Sequence, residues 1–306
     1  MKKIVFLPLV LFVCISYGQM KTYDLPKDVK KILFLGNSIT YAGHYVNYLE
    51  AYFILKYPER KIEFINLGLP SETVSGLSEE NHADGRFERP KLQDRLKKTI
   101  KAIKPDLIFS CYGINDGIYL PFDEKIFSKY KEGINWLDSK VKKEGIELVH
   151  ITPTIYDKDG GEAYANVMDI YSDWLMSNVY TKYWNVIDIH TPLKQKIADN
   201  RFYNPYYKFA LDGVHPNKEG HWLIANQILI ALGELQRLDN SDKSCFDTFK
   251  NGFEVLELVE RKQVIVKDAW LTYIGHKRPD MKLGTSLNKA ETDNKVIEAQ
   301  IQLLLE

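Results

Sequence analysis

The 306-residue chain carries 41 lysine and arginine residues against 41 aspartate and glutamate residues, which gives a formal net charge of zero. This balance provides no general electrostatic argument for a nucleic-acid partner or for binding to an anionic membrane surface. With 45% hydrophobic and 27% charged residues, the composition is typical of a globular protein with one sizeable core and an appendage.

The N-terminus has the three regions of a secretory signal peptide at residues 1–18. Two lysines precede an apolar run at residues 4–15, and a small-residue site for cleavage ends at Gly18. The apolar run is shorter than the roughly 20 residues that a membrane-spanning helix needs. We therefore expect an exported protein, periplasmic or extracellular, with no membrane span. A lipid anchor on Cys14 is a minor alternative, because Val13 is bulkier than the small residue that a lipobox requires.

Beyond this segment, five short apolar runs alternate with five longer helical patterns. The predicted strands cover residues 32–36, 61–67, 105–113, 146–152 and 184–188, and the predicted helices cover residues 41–57, 90–102, 123–144, 162–180 and 217–235. Strands and helices that alternate at this spacing indicate a parallel sheet covered on both faces. Residues 199–214, rich in asparagine, tyrosine and proline, are predicted to form an irregular loop.

The last part of the chain does not continue this alternation. Helical patterns at residues 246–274 and 289–305 flank a break at residues 275–279. Because this stretch is short for an independent core, residues 239–306 are interpreted as a helical extension of a domain that covers residues 19–238.

Two cysteines, Cys111 and Cys245, remain outside the predicted signal peptide. An oxidising compartment permits one disulfide between them. Cys111 nevertheless lies within a strand-like apolar run, where a free buried thiol is the more common outcome. The two thiols have no CxxC or histidine-paired spacing, so we predict no structural zinc site, and we expect no metal or other cofactor.

Ser38 is the nucleophile-capable residue in the turn that follows the first predicted strand. The sequence there is Gly-Asn-Ser-Ile-Thr at residues 36–40, between a buried strand and a helix. Such a turn sets a side chain at the mouth of a parallel sheet, beside the N–H groups of a helix N-terminus. A free serine hydroxyl is barely ionised at neutral pH, so Ser38 needs a base.

Among seven histidines, only His215 lies in a loop at the predicted carboxyl end of the strands with a carboxylate at short range. Asp212 precedes it by three residues, through Gly213, and could orient one imidazole nitrogen while the other faces the cleft. The alternative is that Asp212 caps the helix after Pro216 and that His215 is a surface residue.

Acyl transfer also needs hydrogen-bond donors aimed at the developing oxyanion. The Asn115 side chain follows the third predicted strand, the turn from Gly68 to Ser71 offers backbone N–H groups after the second, and the amide of Ser38 is a third candidate. Asparagine and glycine are also common in turns for conformational reasons, so each residue alone has a simpler interpretation.

Together these turns resemble the SGNH hydrolases, also called the GDSL-type esterases and lipases. Gly-Asn-Ser-Ile at residues 36–39 is similar to the first sequence block of that family, and residues 66–73 are similar to the second. Gly-Ile-Asn-Asp at residues 113–116 resembles the third block, and Asp-Gly-Val-His-Pro at residues 212–216 resembles the last. The blocks occur in the order of the family, and the resemblance covers about residues 30–238.

The resemblance implies a flavodoxin-like three-layer α/β/α sandwich with a five-stranded parallel sheet. It also implies a serine esterase mechanism in which Ser38 attacks the ester carbonyl, His215 transfers the proton and Asp212 orients His215. The oxyanion would be held by the Ser38 amide, a second-block amide and the Asn115 side chain.

Two positions depart from the family pattern. Asn37 stands where the family name has aspartate, and asparagine still supports a turn. Ser71 stands where a family member usually has the glycine whose amide donates to the oxyanion. A backbone N–H survives that change, so we expect the Ser71 amide to donate, with Gly68 as the second candidate if only glycine can adopt the required backbone angle.

The predicted function is that of an exported carboxylic ester hydrolase that removes acetyl or similar small acyl groups from a carbohydrate. Export, polar and aromatic loops around the predicted mouth and the lack of an apolar stretch near Ser38 favour this substrate over a lipid. A lysophospholipase or arylesterase of the same family is one alternative, and a non-catalytic glycan-binding protein on the same fold is another. A phosphate or nucleotide binder is disfavoured, because the chain has no Gly-x-Gly-x-x-Gly loop.

Overall fold

The computed structural model describes residues 23–236 and 241–306. The predicted signal peptide lies outside these residues. The predicted domain boundary between residues 238 and 239 also lies outside them.

Five parallel strands form one sheet in the order β2-β1-β3-β4-β5. The strands are β1 at Lys31–Gly36, β2 at Glu63–Gly68, β3 at Leu107–Cys111, β4 at Glu147–Ile151 and β5 at Asn185–Ile187. This order is that of the flavodoxin-like doubly wound folds. The five predicted strands and the parallel α/β fold are therefore confirmed.

The helices before β5 connect the strands of this sheet, and the remaining helices follow β5 in the chain. The helices are α1 at Ser38–Ala42, α2 at His44–Lys56, α3 at Leu96–Ile103, α4 at Glu124–Lys143, α5 at Glu162–Thr181, α6 at His190–Tyr203, α7 at Lys218–Ala231, α8 at Lys243–Phe246, α9 at Gly252–Ile274 and α10 at Leu287–Leu305. Short 3₁₀ turns lie at His82–Gly85 and Leu92–Asp94. In the described ranges, no helix combines the length and the apolar character that crossing a membrane requires.

Two of the predicted helices are divided by residues with positive φ. Gly43, with φ of 79°, ends α1 and separates it from α2, where the sequence pattern predicts one helix over residues 41–57. Asn251, with φ of 56°, precedes the start of α9, so the helix predicted from residue 246 begins at Gly252. Hydrophobic spacing continues across both breaks, which is why it does not reveal them.

Helix α6 was not predicted, and its last five residues fall within the predicted irregular loop. Only three of its side chains are buried, His190, Leu193 and Ile197, so its apolar stripe is too narrow to give a clear helical period. Pro192 lies in its first turn, where proline is tolerated because the N–H groups there have no partner within the helix.

The register of the sheet aligns the carboxyl ends of β2, β1 and β3, which are neighbours in the sheet. Gly36 at the end of β1 pairs with Gly68 at the end of β2 on one side and with Cys111 at the end of β3 on the other. The turns after these strands therefore begin side by side. Cys111 is a free thiol and is buried, as predicted.

Helix α9 of the C-terminal extension packs against α2, β2 and α10. Its buried Lys267 donates to the backbone carbonyl of Tyr41 at 2.7 Å, and Asp268 accepts a hydrogen bond from the Tyr41 hydroxyl at 3.2 Å. Tyr41 belongs to α1, which begins at Ser38. The extension therefore contacts the short helix that carries the candidate nucleophile.

Candidate active site

Ser38 begins α1 directly after the turn that leaves β1. The side chain of Asn37 caps this helix by accepting a hydrogen bond from the Ile39 N–H at 3.1 Å. Gly36 is required for close packing, because a Cβ atom there would lie 2.1 Å from Thr40 Oγ1. The asparagine at position 37 thus supports the turn, as the sequence predicts.

The structure brings Ser38, His215 and Asp212 together in one hydrogen-bonded chain. Ser38 Oγ lies 2.7 Å from His215 Nε2, and His215 Nδ1 lies 2.6 Å from Asp212 Oδ2. The side chains of His215 and Asp212 are 49% and 55% exposed, so the chain of groups is open to a ligand from solvent. A proton can move from the serine hydroxyl to the imidazole across the first of these contacts.

Asp212 does not cap the helix that follows it. Asn217 is the N-cap of α7, and its side chain accepts a hydrogen bond from the Gly220 N–H at 2.8 Å. Asp212 Oδ1 instead accepts from the N–H groups of Val214 and His215 at 2.9 and 2.7 Å. Oδ1 of the carboxylate therefore stabilises the loop that contains Asp212, and Oδ2 orients the imidazole of His215.

The same contacts determine the charge of Asp212. Partial burial raises its pKa, but the hydrogen bonds from the His215 side chain and from the two backbone N–H groups outweigh this and lower the pKa to about 2. Asp212 is accordingly a carboxylate throughout the neutral range. It accepts the proton on His215 Nδ1, which leaves Nε2 to face Ser38.

Ser71 adopts the left-handed backbone conformation that glycine favours, with φ of 67°. Within residues 23–236 and 241–306, its N–H donates to no protein acceptor. The N–H of Gly68, by contrast, donates to Asn66 Oδ1 at 2.9 Å. Gly68 also packs tightly, since a Cβ there would lie 2.2 Å from the backbone nitrogen of Tyr41. The structure thus argues against Gly68, the second candidate, and leaves Ser71 as the second-block amide with a free N–H.

The Asn115 amide is buried and has a defined orientation. Its Nδ2 donates to the backbone carbonyl of Glu72 at 3.2 Å, and its Oδ1 accepts from the Tyr119 hydroxyl at 3.1 Å. One of the two hydrogens on Nδ2 remains for a ligand. The Asn115 side chain therefore bonds Glu72 in the loop after β2 and Tyr119 in its own loop, and not its own backbone, which was the simpler interpretation of this residue.

Sequence reasoning assigned no role to Asp116, the neighbour of Asn115. This carboxylate is fully buried and accepts from the N–H groups of Val74, Ser75 and Gly113 at 2.8 to 2.9 Å. It ties the loop after β2 to the loop after β3. The only sequence signal is its place beside Asn115, because the three donors are recognisable only in the folded chain.

A buried ion pair further stabilises these loops. Arg95 donates to both carboxylate oxygens of Glu72 at 2.6 Å and to the backbone carbonyl of Leu67 at 2.7 Å. The Tyr112 hydroxyl also donates to Glu72 at 2.6 Å. These bonds fix Glu72, and the backbone carbonyl of Glu72 is the group to which Asn115 donates.

In the described ranges, no group of three or more His, Cys, Asp and Glu side chains lies close enough together to bind a metal ion.

The buried His221 on α7 gives a prediction about folding stability. Its ring stacks on Tyr45 and meets His44 edge-on, and burial together with the charges of His44 and His215 lowers its pKa to about 3. An unfolded chain binds a proton there near pH 6.5, so the unfolded state binds more protons between these values and folding stability falls as the pH falls. We expect His221→Phe to gain up to about 3 kcal/mol relative to the wild type on going from pH 7.5 to pH 4, measured by urea denaturation.

Two comparisons with known sequences show what this chain is similar to. A sequence model of the GDSL-like lipase/acylhydrolase family matches residues 34–223, a range that ends before α9 and α10 and includes Ser38, Ser71, Asn115, Asp212 and His215. An acetylxylan esterase from Geobacillus stearothermophilus is 25% identical over 227 residues, which cover 67% of this chain and 94% of that protein.

Solved structures of similar proteins share the fold. An acetylxylan esterase from Geobacillus stearothermophilus matches with a TM-score of 0.53 and 22% identity over 70% of this chain and 97% of that one. An α/β hydrolase enzyme from the metagenome of Lake Arreo, Spain, matches with a TM-score of 0.52 and 24% identity over 67% and 96%. A gut microbial diltiazem-metabolizing enzyme matches with a TM-score of 0.54 and 21% identity over 70% and 49%.

Proposed function

The chain belongs to the GDSL-like lipase/acylhydrolase family, and from this premise we propose that it is an exported serine esterase that removes acetyl groups from a carbohydrate. The observation that carries the chemistry is the chain of contacts from Ser38 Oγ to His215 at 2.7 Å and from His215 to Asp212 at 2.6 Å. A nucleophile, a base and an orienting carboxylate in this arrangement are what acyl transfer through a serine requires.

The reaction proceeds in two halves. Ser38 Oγ attacks the ester carbonyl while His215 Nε2 takes the hydroxyl proton, and the tetrahedral intermediate collapses as the imidazolium returns that proton to the departing alcohol. The acyl group is then bound to Ser38. A water molecule repeats the sequence: His215 takes its proton, the acetyl group leaves as acetic acid, and Ser38 regains its hydrogen. Asp212 keeps His215 in the required tautomer throughout.

The developing negative charge is held by the N–H groups of Ser38 and Ser71 and by Asn115 Nδ2. All three groups follow adjacent strand ends, since Gly36 pairs with both Gly68 and Cys111. Their positions are set before the substrate arrives, so they stabilise the oxyanion without reorganisation during the reaction.

Replacing Asn115 with alanine tests this assignment. We expect kcat for p-nitrophenyl acetate to fall by about 10² to 10³-fold, the usual loss for one oxyanion donor, with little change in KM. The matched control is Asn135→Ala on α4, where the side chain bonds a backbone carbonyl of its own helix. A loss of similar size in both variants would contradict the assignment.

Two features support a carbohydrate as the substrate. One similar protein is, by name, an acetylxylan esterase, and acetylxylan is an acetylated polysaccharide. The segment that leads to Asp212 also carries two exposed aromatic side chains, Tyr203 and Tyr206, which are 86% and 88% exposed. Aromatic rings of this kind offer flat apolar faces against which a sugar ring packs.

Release of acetate from acetylated xylo-oligosaccharides tests the substrate class. We expect a higher kcat/KM on these esters than on lysophosphatidylcholine or phenyl acetate, measured in parallel. A preference for either of those two would identify a lysophospholipase or an arylesterase instead. Binding of the oligosaccharides without turnover of any ester would identify a glycan-binding protein.

Export predicts that the mature chain begins at Gln19, which N-terminal sequencing of the secreted protein tests.

A further inference from the structure

Strained backbone lies on both sides of the proposed oxyanion site. Ser71 has φ of 67°, and Ile118 and Tyr119, just after Asn115, have φ of 46° and 57°. Residues other than glycine rarely adopt these angles, and they persist only where surrounding contacts impose them. The two strained segments belong to different loops, one after β2 and one after β3.

One buried side chain, Arg89, contacts both segments. Its guanidinium donates to the backbone carbonyl of Ser71 at 3.4 Å and lies 5.3 Å from the ring centre of Tyr119. Only 6% of Arg89 is exposed. A guanidinium at this distance from an aromatic ring attracts its face, which adds to the packing.

Glu79 fixes the position of the Arg89 guanidinium. Arg89 Nε and Nη2 each donate to one oxygen of the Glu79 carboxylate at 2.6 Å, and the Arg89 N–H donates to Ser78 Oγ at 3.0 Å. Two parallel bonds between a planar guanidinium and a carboxylate define orientation as well as distance. Partial burial raises the pKa of Glu79, but the bonds from Arg89 outweigh this and lower it, so the partner stays ionised.

Tyr119 connects Arg89 to the Asn115 amide, because its ring contacts Arg89 and its hydroxyl bonds Asn115. Its hydroxyl donates to Asn115 Oδ1 at 3.1 Å, and its ring stacks on Tyr164 with 4.9 Å between ring centres. Burial raises the pKa of Tyr119 to about 12, so the hydroxyl keeps its proton and remains a donor. Because the hydroxyl donates to Oδ1, the other end of the amide, Nδ2, must face away toward Glu72 and the cleft.

We propose that Arg89 is a positioning residue that holds both second-block and third-block oxyanion donors, Ser71 through its backbone carbonyl and the Asn115 side chain through Tyr119. This inference rests on the proposed esterase function. The charge of Arg89 is neutralised by Glu79, so its contribution is to geometry. An error of an ångström in the position of either donor weakens its bond to the transition state more than it weakens substrate binding.

The first experiment isolates the Tyr119 hydroxyl. Tyr119→Phe retains the ring beneath Arg89 and against Tyr164, and we expect kcat for p-nitrophenyl acetate to fall about 5- to 10-fold with KM within about twofold. The decisive measurement is the same change made in Asn115→Ala. If the hydroxyl acts through the Asn115 amide, Tyr119→Phe has no further effect on kcat there. An equal loss in both backgrounds, or no loss in either, would overturn the proposal.

The second experiment tests Arg89 itself. We expect Arg89→Gln to lower kcat by about 10- to 100-fold at nearly constant KM, and to lose a smaller factor in Asn115→Ala, where only the Ser71 contact remains to be disturbed. Arg89→Lys keeps the charge but lacks the planar fork, so it should not restore the rate. The control is Arg86→Gln, because Arg86 belongs to the same loop and is 63% exposed.

The outcomes separate this inference from the function on which it depends. A wild-type protein that hydrolyses no ester would refute the proposed function before any variant is compared. An active wild type with Arg89→Lys at the full rate would refute the positioning role alone. Thermal melting of each variant by circular dichroism identifies a variant that fails to fold. If the Arg89 variants fail to fold, the Tyr119→Phe comparison can still refute the step from Tyr119 to Asn115 on which the proposal depends.

Discussion

Replacing Ser38 with alanine should lower kcat for p-nitrophenyl acetate by about 10⁶-fold, which is the loss that follows removal of the nucleophile in serine hydrolases. The alanine has no oxygen to form the acyl-enzyme, so only binding and the oxyanion donors remain to assist attack by water. The hydroxyl is removed from the first turn of α1, where the cap is supplied by Asn37. We therefore expect the melting temperature to change little.

A surface serine provides the control for this result. Ser177 on α5 is exposed, and its hydroxyl donates to the Trp174 carbonyl of its own helix. Ser177→Ala should retain the wild-type rate. A Ser38→Ala protein that melts normally and still hydrolyses the ester at more than a small fraction of that rate would end the assignment of Ser38 as nucleophile.

Replacing Asp212 with asparagine should lower kcat by about 10⁴-fold. The side-chain oxygen of asparagine can still accept the hydrogen bonds that Asp212 Oδ1 accepts from the N–H groups of Val214 and His215, so the loop should keep its shape. Its NH₂ group would face His215 Nδ1 in place of Oδ2, and a donor there favours the tautomer that carries its proton on Nε2. That tautomer cannot accept the proton of Ser38. Steady-state kinetics between pH 6 and pH 9 measures the loss.

Asp199→Asn is the matched control for this substitution, because Asp199 is an exposed carboxylate on α6 that accepts a hydrogen bond from the Gln195 side chain. We expect it to behave as the wild type. Activity of Asp212→Asn within about tenfold of the wild type would contradict the orienting role, since a misplaced tautomer costs much more than that.

The strands were recognisable from the sequence because each is a short apolar run between turn residues. Phe34 illustrates the reason: it is fully buried, and its ring stacks on Phe64 of β2 and on Phe109, its register partner on β3. A central parallel strand is covered on both faces, so it must be apolar throughout. Helix α6 lacks such a signal, because most of its surface is in contact with solvent.

Some residues of the candidate site were likewise recognisable from the sequence, and others were not. Ser38, Asn115, Asp212 and His215 lie in short segments with recognisable sequences, so their residue types alone suggested acyl transfer. The choice between Ser71 and Gly68 could not be made from the sequence, because it depends on a bond between Gly68 and Asn66 and on the φ angle of Ser71.

The supporting contacts could not be predicted for a related reason. Arg89 meets Ser71 at a separation of 18 residues, Tyr119 lies in another loop, and Glu72 pairs with Arg95 across 23 residues. Ordinary charged and aromatic residues in loops give no pattern that identifies such partners. The fold brings them together only after the sheet has aligned the ends of β1, β2 and β3.

Reaction of the protein with a fluorophosphonate tests the central claim most directly, because this reagent forms a stable bond to a serine that an adjacent base has activated. We predict that intact-mass measurement finds one phosphonyl group per chain, that peptide mapping places it on Ser38, and that His215→Ala reacts far more slowly. An adduct on a different residue, or unmodified protein under conditions where the ester is still hydrolysed, would contradict the proposed mechanism.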